Sequence, residues 1–73
     1  MSFSFAKLWK LTIDLNMNKT QLRKNAGIST ATLSKLSKNE NVSLGAIEKI
    51  CSALKCDISD IMEYVEEVEN DQL

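Results

Sequence analysis

The chain has 73 residues, 44% of them hydrophobic, and a formal net charge of −1 at pH 7. This length predicts one small domain, and the absence of an apolar run of about 18 residues excludes a membrane-spanning helix. The start, MSFSFAKLWK, lacks the long apolar region of a secretory signal, so we expect a cytoplasmic protein.

The residue types that usually carry enzyme chemistry are scarce. Histidine is absent, and Cys51 and Cys56 are the only cysteines. Two thiols without further N or S ligands cannot complete a four-ligand zinc site, and a Cys–His nucleophile is impossible. The chain also lacks a Gly-rich phosphate loop and is small for an ordinary active-site cleft. We therefore expect no catalysis, no metal and no cofactor, with both cysteines reduced and buried in the core.

Charge is divided unevenly along the chain. Residues 1–38 carry seven Lys and Arg against one acid, a net charge of +6, whereas residues 39–73 carry two Lys against nine acids, a net charge of −7. Such a division attracts a polyanion to one end and repels it from the other. An accidental asymmetry of solvated surface is the alternative interpretation.

The first predicted helix covers about Phe5 to Asn16, after a loose terminus at residues 1–4. Apolar side chains recur there at three- and four-residue spacing. They are Phe5, Leu8, Trp9, Thr12, Ile13 and Leu15. Trp9 is expected at the core or its edge, with a ligand platform as the alternative.

Two short helices around Gly27 are predicted next. Asn18 and Gln21 form a capping-box pattern at the start of a helix that runs to about Asn25. Gly27 lies where the chain must turn, with a positive φ that glycine adopts without a Cβ clash. Ser29 is the expected N-cap of the following helix, which ends near Ser37 or Lys38.

The second half predicts two more helices and an acidic tail. Ser43 caps a helix to about Leu54, with an inward stripe of Leu44, Ile47, Ile50, Cys51 and Leu54. Asp57 caps a fifth helix with Ile58, Ile61, Met62 and Val65 on its inward side. No stretch alternates long enough to predict a strand. The expected fold class is therefore all-α, a compact domain of five helices with short loops.

Residues 19–38, KTQLRKNAGISTATLSKLSK, have the pattern of a helix-turn-helix. The apolar side chains expected to be buried are Leu22, Ala26, Ile28, Leu33 and Leu36. The second helix shows small polar and basic groups on its other side and has no acid in its first turn. Such a helix is suited to entering the DNA major groove.

From about Leu8 to Tyr64 the chain resembles the lambda-repressor-like, Cro/cI-type (XRE) helix-turn-helix family. The characteristic segment is MNKTQLRKNAGISTATLSKLSKNENVSLGAIEKICSALKCDISDIMEY. Among small stand-alone members, the chain is similar to the VanU-type regulators found with glycopeptide-resistance operons. Gly27 and Leu33 match the turn glycine and the buried aliphatic of the family, whereas Arg23 stands where the family has a small residue.

The resemblance implies one domain over residues 1–73, with a core at about 5–66, the helix-turn-helix at 19–38 and an acidic tail at 66–73. It implies a sequence-specific transcriptional regulator that binds double-stranded DNA, with a recognition helix at about 30–37. The residues that match DNA-contacting positions are Lys19, Ser29, Thr30, Ala31, Thr32, Lys35, Lys38, Asn39 and Asn41. The alternative for each is an ordinary solvated side chain on an exposed surface.

One helix-turn-helix reads one half-site, so the resemblance implies a homodimer, at least on DNA. The candidates for its contact surface are Met62, Tyr64, Val65 and Val68, which equally suit the core of a monomer. A second class of function is a protein-interaction module whose acidic tail binds a partner regulator or mimics DNA charge. The basic helix-turn-helix favours the regulator, because an interaction module has no need of it.

Overall fold

The structure, a computed structural model, describes residues 2–66 of the chain. In chain order its elements are β1 (Ser2–Ser4), α1 (Ala6–Asp14), α2 (Lys19–Ala26), α3 (Thr30–Ser37), α4 (Leu44–Leu54), a 3-10 turn (Ile58–Asp60) and β2 (Glu63–Val65). The predicted helical domain is thus confirmed for four helices over this range. None of the helices among the described residues is long and apolar enough to cross a membrane.

The predictions of a fifth helix and of a strandless chain are wrong. After the 3-10 turn, β2 pairs antiparallel with β1, which occupies the segment expected to be a loose terminus. Phe3 lies opposite Tyr64, and their rings meet edge to face with centroids 5.8 Å apart. An ion pair of 4.0 Å between Lys7 and Glu63 lies next to the sheet. The spacing of Ile61, Met62 and Val65 suggested a helical turn. The segment instead pairs with a strand at the other end of the chain, and the cross-strand contacts stabilise the extended conformation.

Local capping explains where α2, α3 and α4 begin. The Asn18 side chain accepts a hydrogen bond from the Gln21 N–H at 2.8 Å, and the Gln21 side chain accepts one from the Asn18 N–H at 2.9 Å. Ser29 and Ser43 each accept from the N–H three residues later, at 3.1 Å. These three predicted N-caps are confirmed, and each satisfies an N–H that a helix start leaves without a partner. Asp57, the fourth predicted N-cap, precedes the 3-10 turn instead of a fifth helix, and its N–H donates to Asp60 Oδ2 at 2.9 Å.

Gly27 ends α2 in the left-handed conformation, with φ of +71°. The N–H groups of Gly27 and Ile28 both donate to the Arg23 carbonyl, at 2.9 and 3.2 Å. These two hydrogen bonds close the end of α2, so the chain reverses direction and Ile28 enters the core. The turn between α2 and α3 follows from the glycine that the sequence places there.

The core lies where α2 packs on α3 and α4 and where α1 and α4 meet the 3-10 turn. Its largest fully buried side chains are Phe5, Leu8, Leu22, Leu36, Ile50 and Ile61. Leu33 packs against this core but is only partly buried. Thr12 is buried too, and its hydroxyl donates to the Trp9 carbonyl at 2.8 Å, which satisfies the polar group.

Several side chains expected to be inward are exposed. They are Ile13, Leu15, Leu44, Ile58 and Val65. Each satisfies the helical or core periodicity of its own segment, but no element within residues 2–66 covers it. Periodicity identifies which residues share a face, and packing decides how wide the buried part of that face is.

The two cysteines are free thiols that pack against the core, but they are partly rather than fully buried as the sequence predicted. Lys55 adopts φ of +55° at the end of α4, and the Cys56 N–H donates to the Cys51 carbonyl at 3.1 Å. Burial raises the pKa of both thiols, and the nearby Asp57 and Asp60 carboxylates raise the pKa further.

Candidate nucleic-acid interface

The side chains of α3 that pack into the core determine which face of the helix points outward. Leu36 is fully buried and Leu33 packs against the core, which fixes the rotation of the helix. Thr30, Ala31 and Lys35 are consequently exposed together on the opposite side. The structure thus brings three of the residues predicted to contact DNA onto one surface.

Ser34 belongs to the same exposed face but was not among the predicted contacts. It lies four residues after Thr30 and three after Ala31, so these three side chains neighbour one another on the helix surface. Helical spacing could have identified Ser34, whereas Thr30, Ala31 and Lys35 were assigned by their match to DNA-contacting positions of the family.

The hydroxyl groups of Ser29 and Thr32 are bonded to each other. Ser29 Oγ accepts from the Thr32 N–H at 3.1 Å and donates to Thr32 Oγ1 at 3.0 Å. Ser29 therefore acts as the N-cap, and its hydroxyl proton is already engaged. Thr32 Oγ1 keeps its own proton for donation, so Thr32 is better placed than Ser29 to bind an anion.

Lys19 connects three helices. Its ammonium lies 4.5 Å from the centroid of the Trp9 ring on α1 and 3.1 Å from Ser37 Oγ on α3. The Ser37 hydroxyl in turn donates to the Leu33 carbonyl at 3.1 Å. The partly buried indole of Trp9 thus serves as a support for the ammonium. Positive charge is held at the start of α2, beside the C-terminal end of α3.

Asn39 has a structural role that the sequence did not reveal. It adopts φ of +57°, and its Oδ1 accepts from the Phe5 N–H at 2.9 Å. This bond ties the loop after α3 to the start of α1 across 34 positions of sequence. Lys38 and Asn41 flank it as exposed residues. The side-chain oxygen of Asn39 therefore accepts one internal hydrogen bond, while its amide NH₂ remains able to donate to a ligand.

A shallow depression of about 340 Å³ lies between the starts of α3 and α4. Ser29, Thr32, Ser43 and Lys49 contribute to its walls. Lys49 was not predicted at the interface, and it belongs to the acidic half of the chain. Its position shows that a basic residue from that half borders the helix-turn-helix.

The electrostatic character of this surface suits a polyanion. Neither α2 nor α3 has an acidic residue in its first turn, so no carboxylate opposes an anion at either N-terminus. Lys19, Lys35 and Lys38 supply positive charge around them. Among residues 2–66, no three Cys, Asp or Glu side chains are grouped so that they could hold a metal ion.

Comparison with known proteins agrees with this geometry. The family model of the Cro/C1-type HTH DNA-binding domain matches residues 7–67. The crystal structure of the transcriptional regulator VanUg superposes with a TM-score of 0.87 at 50% sequence identity, and the match covers 90% of this chain and 88% of that one. No curated protein sequence matches the chain significantly.

The family match spans the four helices, and the structural match extends over nearly the whole chain. Arg23, the departure from the family pattern, is half-buried in the last turn of α2 without displacing the turn at Gly27. The chain belongs to the Cro/C1-type helix-turn-helix family, and it is a small DNA-binding transcriptional regulator of the VanU type.

Proposed function

We propose that α3 enters the major groove of double-stranded DNA and reads a specific operator sequence. The observation that carries this proposal is the exposed face of α3, where small polar groups and a lysine lie opposite two anchored leucines. A helix inserts into the groove only if its outward side chains are short or can bind base edges. Thr30, Ala31, Ser34 and Lys35 meet that condition.

Base contacts are assigned to the middle of this face. The Lys35 ammonium can donate to O6 and N7 of a guanine, and the methyl groups of Thr30 and Ala31 can contact a thymine methyl. Ser34 has a hydroxyl that can donate to or accept from a base edge. Few long side chains are present, so DNA shape contributes a large share of the specificity.

Phosphate contacts are assigned to the edges of the interface. Lys19 and Thr32 lie at the starts of α2 and α3, and Lys38 and Asn41 lie in the loop after α3. Ser29 contributes through the helix start that it caps, and Asn39 through its amide NH₂. These contacts position the protein on the duplex and carry little sequence information themselves.

Tight binding is proposed to require two copies on one operator. Each chain supplies one helix-turn-helix and hence one half-site, and two copies bind a symmetric pair of half-sites about one helical turn apart. Val68 and most of the acidic tail lie outside the described residues. No structural observation therefore supports the binding of a partner regulator through that tail.

Selection of bound sequences from a random DNA pool, repeated at several salt concentrations, tests the proposal. We expect an enriched two-fold symmetric site. Lys35→Ala should cost about 1–3 kcal/mol and relax the preference at one base position. Lys10→Ala is the matched control, because Lys10 is exposed on α1. Enrichment of no sequence, or an unchanged preference in Lys35→Ala, would contradict the assignment.

A further inference from the structure

Trp9 has a contact that packing in the core does not explain. The indole packs against the core but is only partly buried. Its ring lies under the Lys19 ammonium, with 4.5 Å between Nζ and the ring centroid. A cation within about 6 Å of an aromatic centroid is attracted to the face of the ring, and tryptophan attracts it most strongly. Trp9 therefore acts on Lys19 as well as on the core.

Ser37 gives the same ammonium a second contact, which has a direction. Lys19 Nζ donates to Ser37 Oγ at 3.1 Å, and the Ser37 hydroxyl donates to the Leu33 carbonyl at 3.1 Å. Because that carbonyl engages the hydroxyl proton, the Ser37 oxygen is oriented to accept from Lys19. A ring on α1 and an oxygen on α3 thus hold an ammonium that belongs to α2.

The Lys19 ammonium still has donors and charge to offer. A lysine ammonium carries three N–H groups, and Ser37 accepts from one of them. Within residues 2–66 the one ion pair joins Lys7 to Glu63, so no described carboxylate neutralises Lys19. The ammonium is therefore held in place and remains able to donate to a phosphate oxygen.

The contact also connects two parts of the proposed phosphate interface. Lys19 is the first residue of α2, and Ser37 is the last residue of α3. Lys38, another proposed phosphate contact, follows Ser37 directly. The bond between Lys19 and Ser37 spans 18 positions of sequence, so it fixes the start of α2 relative to the end of α3.

Holding the side chain before DNA arrives strengthens binding. Lysine has a large rotamer entropy, and immobilising such a side chain at an interface weakens binding by about twofold to twelvefold. The contacts to Trp9 and Ser37 already restrict Lys19 in the free protein. Less conformational freedom is then lost when a phosphate binds.

We propose that Trp9 and Ser37 are positioning residues of the DNA interface, which hold the Lys19 ammonium in place for one backbone phosphate. They act through Lys19 and not through base contacts of their own. This inference rests on the proposed function, in which Lys19 binds a phosphate. Both residues then raise the affinity for every sequence alike and leave the preferred sequence unchanged.

A double-mutant cycle on the full chain, with the duplex obtained by selection, tests the role of Trp9. Trp9→Leu removes the ring and keeps an apolar side chain against the core, and it should weaken binding about threefold to tenfold. Trp9→Phe keeps a ring and should recover part of that loss. In the Lys19→Ala background, Trp9→Leu should change the affinity by less than about twofold, because no ammonium remains to be positioned.

Ser37→Ala tests the second contact without altering the core, since Ser37 is exposed. It should weaken binding about twofold to fivefold. Ser52→Ala is the matched control, because Ser52 is exposed on α4 away from these contacts, and it should bind like the wild type. Thermal melting establishes that each variant is folded at the temperature of the binding assay. Ser37→Ala decides the inference if Trp9→Leu is unfolded there.

The outcomes separate this inference from the proposed function. An equal loss from Trp9→Leu with and without Lys19 would show a merely structural role and overturn the inference, and so would wild-type affinity in Ser37→Ala. Lys19→Ala should reduce the slope of log K against log salt concentration by about 0.9, and an unchanged slope would also overturn it. Specific binding by the wild type leaves the proposed function intact in each of these cases. If the wild type binds no sequence specifically, the proposed function fails, and the inference fails with it.

Discussion

The two glycines should respond in opposite directions to the same substitution. Gly27 has φ of +71°, and a Cβ built on it meets nothing within 4 Å. The cost of Gly27→Ala is therefore purely conformational. A left-handed conformation costs an L-residue about 1–2 kcal/mol, and alanine recovers about 0.4–1 kcal/mol through a less flexible unfolded chain. We expect a net loss of about 1 kcal/mol in the free energy of unfolding.

Gly45 provides the internal comparison. It lies in the first turn of α4, and a Cβ there would meet only Ser43 Oγ, at an ordinary contact distance of 3.8 Å. Alanine is favoured over glycine inside a helix by up to about 1 kcal/mol. Gly45→Ala should therefore raise the free energy of unfolding by about 0.5–1 kcal/mol.

Urea unfolding and thermal melting of both variants, followed by far-UV circular dichroism, measure the difference. A change of 1 kcal/mol shifts the melting temperature of a domain this small by about 4–8 °C, so the two variants should differ by roughly 10 °C. The urea m-values should stay at the wild-type value, since neither change alters the surface buried on folding. If Gly27→Ala matches or exceeds wild-type stability, the positive φ is not what requires glycine at the turn.

Two further predictions concern the loop after α3 and the thiols. Asn39→Ala removes the bond to the Phe5 N–H and should lower the free energy of unfolding by about 1–2 kcal/mol in urea unfolding. Asn16→Ala, at a similar φ of +56°, should cost less, and equal losses would show that the bond contributes nothing. Alkylation by iodoacetamide near pH 8 should be slower at Cys51 and Cys56 in the folded protein than in urea, because the raised pKa leaves less thiolate. The unfolded chain also ionises its thiols first, so stability should fall as pH rises from the ordinary thiol pKa to the raised one. Equal alkylation rates in the two states would contradict the raised pKa.

Sequence alone determined the four helices and the turn because their signals are local. Asn18, Ser29 and Ser43 each bond to an N–H three residues ahead, and Gly27 needs only its own φ. The buried face of the helix-turn-helix follows from spacing within twenty residues. The family pattern, which is carried by those same residues, led to the function.

Tertiary structure decided what depends on contacts between distant segments. The residues after Asp60 fit a helical period, yet Glu63–Val65 form a strand because Ser2–Ser4 lie alongside them. Leu44 and Ile13 fit apolar stripes, but in the described part of the chain no element packs over either side chain. The role of Asn39 depends on the Phe5 N–H, 34 positions away. The local sequence pattern indicates which side chains of a segment can be buried and whether the segment can pair as a strand. Only the folded chain determines which other segment packs against it or pairs with it.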